Sequence, residues 1–171
     1  FARTSAPNCR NHRMLSPRAE VGSWITAASP EYRALIALCA FAGLRLGEAA
    51  ALRGGDVDFL RREIAVRRQV QRVNGGDVEI RAPKHGSERT VAAAPGLLEI
   101  IAEHIALRGL QGDREAWLFP GERGNPAHQN TVGHAWRSAL ARAGFEGFVL
   151  HDLRHFYASG LIAAGRDVAT V

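Results

Sequence analysis

The chain has 171 residues, a length that favours one compact domain, and 46% of them are hydrophobic, enough to fill a core and exclude general disorder. A formal charge of +5 and an isoelectric point near 10.2 point to a polyanionic partner, nucleic acid first, against the alternative of a merely basic protein. Two cysteines, Cys9 and Cys39, are too few for a disulfide framework and fit a reducing cytoplasm, and no apolar run reaches the length of a membrane span or has the character of a secretory signal.

From Phe1 to about Leu15 the chain is polar, basic and without periodicity. That stretch reads as a linker or the end of a missing upstream domain, with the domain proper over residues 16–171; a first residue of Phe rather than Met reads as a fragment of a longer protein. Ser16-Pro17 and Ser29-Pro30-Glu31 each carry the signal of a helix start, a capping residue followed by proline. The run through Leu35, Ile36, Leu38, Cys39 and Phe41 is apolar nearly all round and predicts a central buried helix, broken by Gly43. A short helix is expected over Arg45 to Arg53, stopped by Gly54-Gly55. Glu63 to Val70 reads as a strand, Val78 and Ile80 as a second one across an Asn74-Gly75-Gly76 turn, and Arg89-Thr90-Val91 as a third. Pro95 opens an apolar helix, Leu118 to Gly121 forms a buried turn or short strand, and Asn130 to Ala143 is an amphipathic helix carrying Val132, Trp136 and Leu140. A last complete helix follows His151 and is capped by Gly165; Asp167 to Val171 begins another. The sum is an α+β domain, mostly helical, with a small antiparallel hairpin or three-stranded sheet.

Three stretches carry chemistry. In His151-Asp152-Leu153-Arg154-His155, a His and an Arg three apart at a helix start share one face. Arg offers a planar fork for phosphate oxygens and His a proton near neutral pH, a pair suited to phosphoryl transfer. The competing reading is zinc, because His151 and His155 are four apart, but Arg154 between them opposes a cation and a third ligand would be needed. Around Gly43, Arg45 follows a glycine break and can project toward an anion, with Glu48 three residues on to hold it; the bland reading is a surface ion pair worth little. Lys84, the only lysine in the chain, stands on a Pro83-Lys84-His85-Gly86-Ser87 turn from which it can enter a nucleic-acid groove and deliver a proton.

In order and spacing, the three stretches resemble the catalytic domain of the tyrosine recombinases, or phage-type integrases. The family's first-arginine motif is matched by Ala42-Gly43-Leu44-Arg45-Leu46-Gly47-Glu48 with Leu52-Arg53 and Asp56-Val57-Asp58 after it. The hairpin lysine falls on Lys84, with Arg89-Thr90-Val91 following, and the His-x-x-Arg box falls on His151 and Arg154, with His155 next. The resemblance spans roughly Leu15 to Val171.

It implies DNA cleavage and rejoining through a 3′-phosphotyrosyl link, without metal, nucleotide or other cofactor. Arg45 and Arg154 would clamp the phosphate, Lys84 would protonate the leaving 5′ oxygen, and His151 would assist proton transfer, with Glu48 and His155 as supports. Arg61, Arg62, Arg67, Arg68 and Arg72 are weighed equally as DNA-backbone contacts and as a solvated face. The chain departs from the pattern at the nucleophile. The tyrosines present, Tyr32 and Tyr157, precede the buried helix and follow the His-x-x-Arg box, so neither is assigned that role, and the family's tyrosine is expected beyond Val171. The implied partner is double-stranded DNA, with no membrane, in the cytoplasm; a tetramer is expected for the full-length protein and a monomer for this fragment. A non-catalytic DNA-binding remnant, a type IB topoisomerase and a zinc hydrolase stay as alternatives.

Overall fold

The structure is a computed structural model that describes residues 17–73, 78–83, 88–121 and 124–165. The expectations for residues 1–15 and 167–171, and the Asn74-Gly75-Gly76 turn, lie outside the described residues. Helix α1 (Pro17–Ala27) and helix α2 (Pro30–Phe41) both open on proline at the first helical position, where a missing N–H breaks no intrahelical bond. Helix α2 is the central element, with Ala34 through Ala40 all buried. It packs against α1, against α3 (Leu46–Ala50), α4 (Pro95–Arg108), α5 (Gln129–Ala143) and α6 (Leu150–Ala163). Gly109, Gly144 and Gly165 follow the last three helices with positive φ. On α5, Val132, Trp136, Ala139 and Leu140 form one buried stripe, and Trp24 of α1 meets Trp136, Phe145 and Phe148 within ring-centroid distances of 4.8–5.7 Å.

Among the described residues the strands form two small antiparallel sheets. In the first, β2 (Glu63–Val66) lies between β1 (Val57–Asp58) and β5 (Arg89–Ala92), with Ile64 opposite Val91 and Val66 opposite Arg89. The second is a hairpin of β3 (Gln69–Arg72) and β4 (Val78–Arg81). The single strand expected over Glu63 to Val70 is therefore two, divided at Arg67-Arg68 and serving different sheets. The physical reason is Asp56, which is 4% exposed and takes ion pairs from Arg68 at 2.6 Å and Arg67 at 3.5 Å. A buried carboxylate demands compensating charge, and turning the chain at the two arginines supplies it.

The helix expected over Arg45 to Arg53 is also shorter. It ends at Ala50, and a 3-10 turn follows at Gly54–Asp56. Backbone bonds here go across the fold instead: Gly54 N–H to Ala116 O, Gly55 N–H to Arg114 O, and Leu118 N–H to Leu52 O. Gly54 is needed for that approach, because a Cβ there would sit 2.5 Å from Asp113 O. Leu118 and Phe119, expected as a buried turn or short strand, are buried between two isolated bridges, Arg53–Trp117 and Pro120–Pro126.

Candidate active site

Gly43 ends the turn after α2 in the left-handed region, at φ +63°. A side chain at Gly43 would come within 2.7 Å of Tyr157 Cε1, so the ring of Tyr157 packs directly on its backbone. Tyr157 is thus half-buried packing for this turn. The turn presents Arg45 as the capping residue of α3, in an extended conformation at φ −69°, ψ 150°. Glu48, in the first turn of α3, reaches back to accept the Arg45 backbone N–H on Oε2 at 2.9 Å, and its Oε1 accepts from Arg45 Nη1 at 3.0 Å. Glu48 is fully buried, so the pair is not the surface ornament that its spacing alone allows.

A second arginine shares that carboxylate. Arg89, at the start of β5, donates Nη1 to Oε1 at 3.1 Å and Nη2 to Oε2 at 2.8 Å, a two-pronged bond across 41 residues of sequence. Burial alone would raise the Glu48 carboxyl; the bonds from Arg89 and from the Arg45 backbone and side chain outweigh it and hold the carboxyl below its ordinary range. Arg154, one turn into α6, donates Nη1 to the carbonyl of Gly43, two residues before Arg45. Burial, then the nearby Arg45 charge, lowers Arg154 from its usual value, and Arg89 acts in the same direction. It remains a cation, as guanidinium does in proteins. Arg45, Arg89 and Arg154 thus gather around one carboxylate, and among the described residues Arg154 makes no ion pair closer than 4 Å. Such a concentration of fixed donors and uncompensated charge favours an anion held by planar forks.

The base of α6 is pinned by Leu153, which is fully buried, and by Asp152, which accepts the Val149 N–H at 2.7 Å. His151 and His155 remain exposed, with rings edge to face at 4.8 Å. Among the described residues no three His, Cys, Asp or Glu side chains converge in a manner that could hold a metal ion. Cys39 of α2 lies within electrostatic reach of Glu48 and Arg154; burial above all pushes its thiol up to about 12. Lys84 lies outside the described residues.

The arginines weighed as DNA contacts divide. Arg67 and Arg68 are engaged with Asp56, and Arg61 stands 3.7 Å from Asp58. Arg62 is exposed. The residue that sequence reasoning missed is Arg89, noted only as part of a pattern. Its signal was available in the alternation of β5: Arg89 and Val91 share the less exposed face, Thr90 and Ala92 the exposed one. An arginine on an inward face requires a carboxylate partner.

A mostly helical domain thus assembles arginines from three separate elements around one buried glutamate. Residues 19–171 match the model of the phage integrase family, and the chain belongs to that family, folding as a tyrosine recombinase catalytic domain. A putative integrase/recombinase of Sinorhizobium fredii, y4qK, is 34% identical over 144 residues, covering 82% of this chain and 41% of that protein. A XerC-like tyrosine recombinase of Caldanaerobacter subterraneus is 27% identical, covering 81% and 40%. The crystal structure of the XerA recombinase superposes with a TM-score of 0.69 at 26% identity, over 95% of this chain and 55% of that one. The Tn1549 transposon integrase in complex with a circular intermediate DNA gives a TM-score of 0.74 at 21% identity, over 94% and 56%, a likeness of fold. The chain spans about half the length of the curated relatives it matches.

Proposed function

We propose that this chain is the phosphate-handling part of an enzyme that cuts and rejoins double-stranded DNA at specific sites. The observation that carries the reading is the cluster of Arg45, Arg89 and Arg154 around the single buried carboxylate of Glu48. Arg45, 41% exposed, and Arg154 grip the non-bridging oxygens of the scissile phosphate and stabilise the charge that builds as it becomes five-coordinate. A tyrosine oxygen attacks phosphorus, the bond to the 5′ oxygen breaks, and that oxygen takes its proton from Lys84. His151, exposed at the start of α6, assists proton movement at the phosphate or the nucleophile, and His155 supports its ring. Neither Tyr32 nor Tyr157 is the nucleophile; this reading places it beyond Val171. Because the phosphotyrosyl bond retains the energy of the broken one, rejoining needs neither nucleotide nor metal. The whole protein acts as a tetramer on paired sites in the cytoplasm, while these 171 residues alone are monomeric and bind DNA in a salt-sensitive manner.

The test uses the longer protein that includes the tyrosine. Arg154→Ala should lower single-turnover cleavage by about 100- to 1,000-fold, the usual cost of one oxyanion donor. The thermal transition should remain cooperative. Near-normal cleavage by that variant overturns the reading. DNA binding without cleavage by the unaltered protein would favour a non-catalytic remnant.

A further inference from the structure

We propose that Arg89 is a positioning residue, which keeps Arg45 free for a phosphate by taking up the charge of Glu48. The proposal rests on the reading of Arg45 as a phosphate-binding group. Glu48 has two oxygens, and each already holds two donors: Oε1 takes Arg45 Nη1 and Arg89 Nη1, Oε2 takes the Arg45 backbone and Arg89 Nη2. The carboxylate is filled, with Arg89 supplying half of its bonds.

Consider the same site without Arg89. Glu48 and Arg45 would form a one-to-one pair, and the positive charge that Arg45 offers a ligand would be cancelled at short range. With Arg89 present the trio stays net positive. The exposures agree with this division of labour. The Arg45 side chain is 41% exposed and Arg89 only 20%, so Arg45 faces the solvent from which a ligand arrives and Arg89 stands behind it. Arg45 gives Glu48 a single side-chain bond and keeps its other guanidinium donors, whereas Arg89 commits its fork to the carboxylate. Among the described residues, the groups that bear on Glu48 are Arg45 at its own helix, Arg89 from β5, Arg154 from α6 and the Cys39 thiol from α2.

The experiment measures single-turnover cleavage and DNA affinity of the longer protein for Arg89→Ala, Arg89→Lys, Glu48→Gln and the double variant Arg89→Ala/Glu48→Gln, with Arg45→Ala beside them. Arg89→Ala should slow cleavage about 10- to 100-fold, as loss of a supporting partner does, and change DNA affinity by less than about threefold. Arg89→Lys should recover only part of the rate, because an ammonium gives no parallel fork. Glu48→Gln in the Arg89→Ala background should restore much of the loss, since the charge that Arg89 offsets is then gone. The acid limb of the Arg89→Ala rate profile should move to higher pH as Glu48 loses two donors. Cleavage by Arg89→Ala within about threefold of normal, or a double variant slower than either single one, overturns the proposal. If Arg89→Ala fails to fold, by circular dichroism, the same comparison is made between Arg89→Lys and Arg89→Lys/Glu48→Gln. Near-normal cleavage by Arg45→Ala would remove the functional reading itself, and this proposal with it.

Discussion

Replacing Gly43 by alanine tests the geometry of the site without touching a charged group. Two separate costs arise. The left-handed backbone at φ +63° costs a side chain roughly 1–2 kcal/mol. The new methyl would also lie within 2.7 Å of Tyr157 Cε1, an overpacking worth about 1–3 kcal/mol if the ring cannot withdraw. Together the loss is about 2–5 kcal/mol, a large share of the ~5–15 kcal/mol that holds an ordinary domain. With a urea slope of about 2 kcal/mol per M, the midpoint should fall by about 1–2.5 M. The assay is a urea titration of the 171-residue chain followed by tryptophan emission, for which Trp24, Trp117 and Trp136 serve. The steric part belongs to a pair, so a double-mutant cycle isolates it. Gly43→Ala and Tyr157→Ala should couple by about 1–3 kcal/mol, because removing the ring removes the clash and leaves the backbone strain. Additivity within about 0.3 kcal/mol, or a Gly43→Ala loss below about 0.5 kcal/mol, would refute the reasoning.

Glu48→Ala leaves Arg45 and Arg89 facing one another near Arg154 with no carboxylate, so it should cost about 3–5 kcal/mol in the same urea titration; a loss under about 1 kcal/mol would show that the arginines find other partners. Because the folded Glu48 carboxyl titrates below its ordinary 4.5, its contribution is complete above that value and fades as pH falls through the folded value. Acid titration of Glu48→Gln should therefore lack part of the wild-type slope below about pH 4.5; superimposable curves would contradict the assignment. His104 is 3% exposed and donates its Nε2–H to Leu118 O, and burial above all lowers it from its ordinary 6.5. A base lowered on folding binds protons more readily when unfolded, so stability should drop as pH falls from 6.5 toward the folded value. A His104→Gln variant should be flatter over that interval, and an unchanged pH slope would refute it. Finally, the Cys39 thiol is 1% exposed and raised to about 12, so its alkylation at pH 8 should proceed only through opening of the fold. Prompt labelling of Cys39, mapped by mass spectrometry with tryptophan emission still native, would count against that burial.

The helices were readable because their signals are local. Proline opens α1, α2 and α4, glycine follows α4, α5 and α6, and the stripe of Val132, Trp136 and Leu140 repeats at helical spacing. The division of residues 63–70 was not readable, because its cause, Asp56, precedes Arg67 by eleven positions and declares itself only once buried. Spacing within one motif gave the Arg45–Glu48 pair but not its depth, although Ala49-Ala50-Ala51-Leu52 immediately after Glu48 is an apolar run that marks a buried segment. The contacts that complete the site are long-range: Arg89 reaches back 41 residues to Glu48, and Arg154 reaches back 111 to the carbonyl of Gly43. No period in a sequence encodes such distances: the three-residue spacing to His151 marked Arg154 and the family resemblance gave it a role, while nothing assigned Arg89 a task.

The three arginines around Glu48 also repel one another. A protein arranged in this way is less stable than its core permits, because the charges that would grip a phosphate strain against each other without one. Any anion that settles there acts as a folding ligand, stabilising by RT ln(1 + [L]/Kd). Buffer choice then becomes a variable of the molecule: the same chain should melt higher in phosphate or sulfate than in chloride at equal ionic strength.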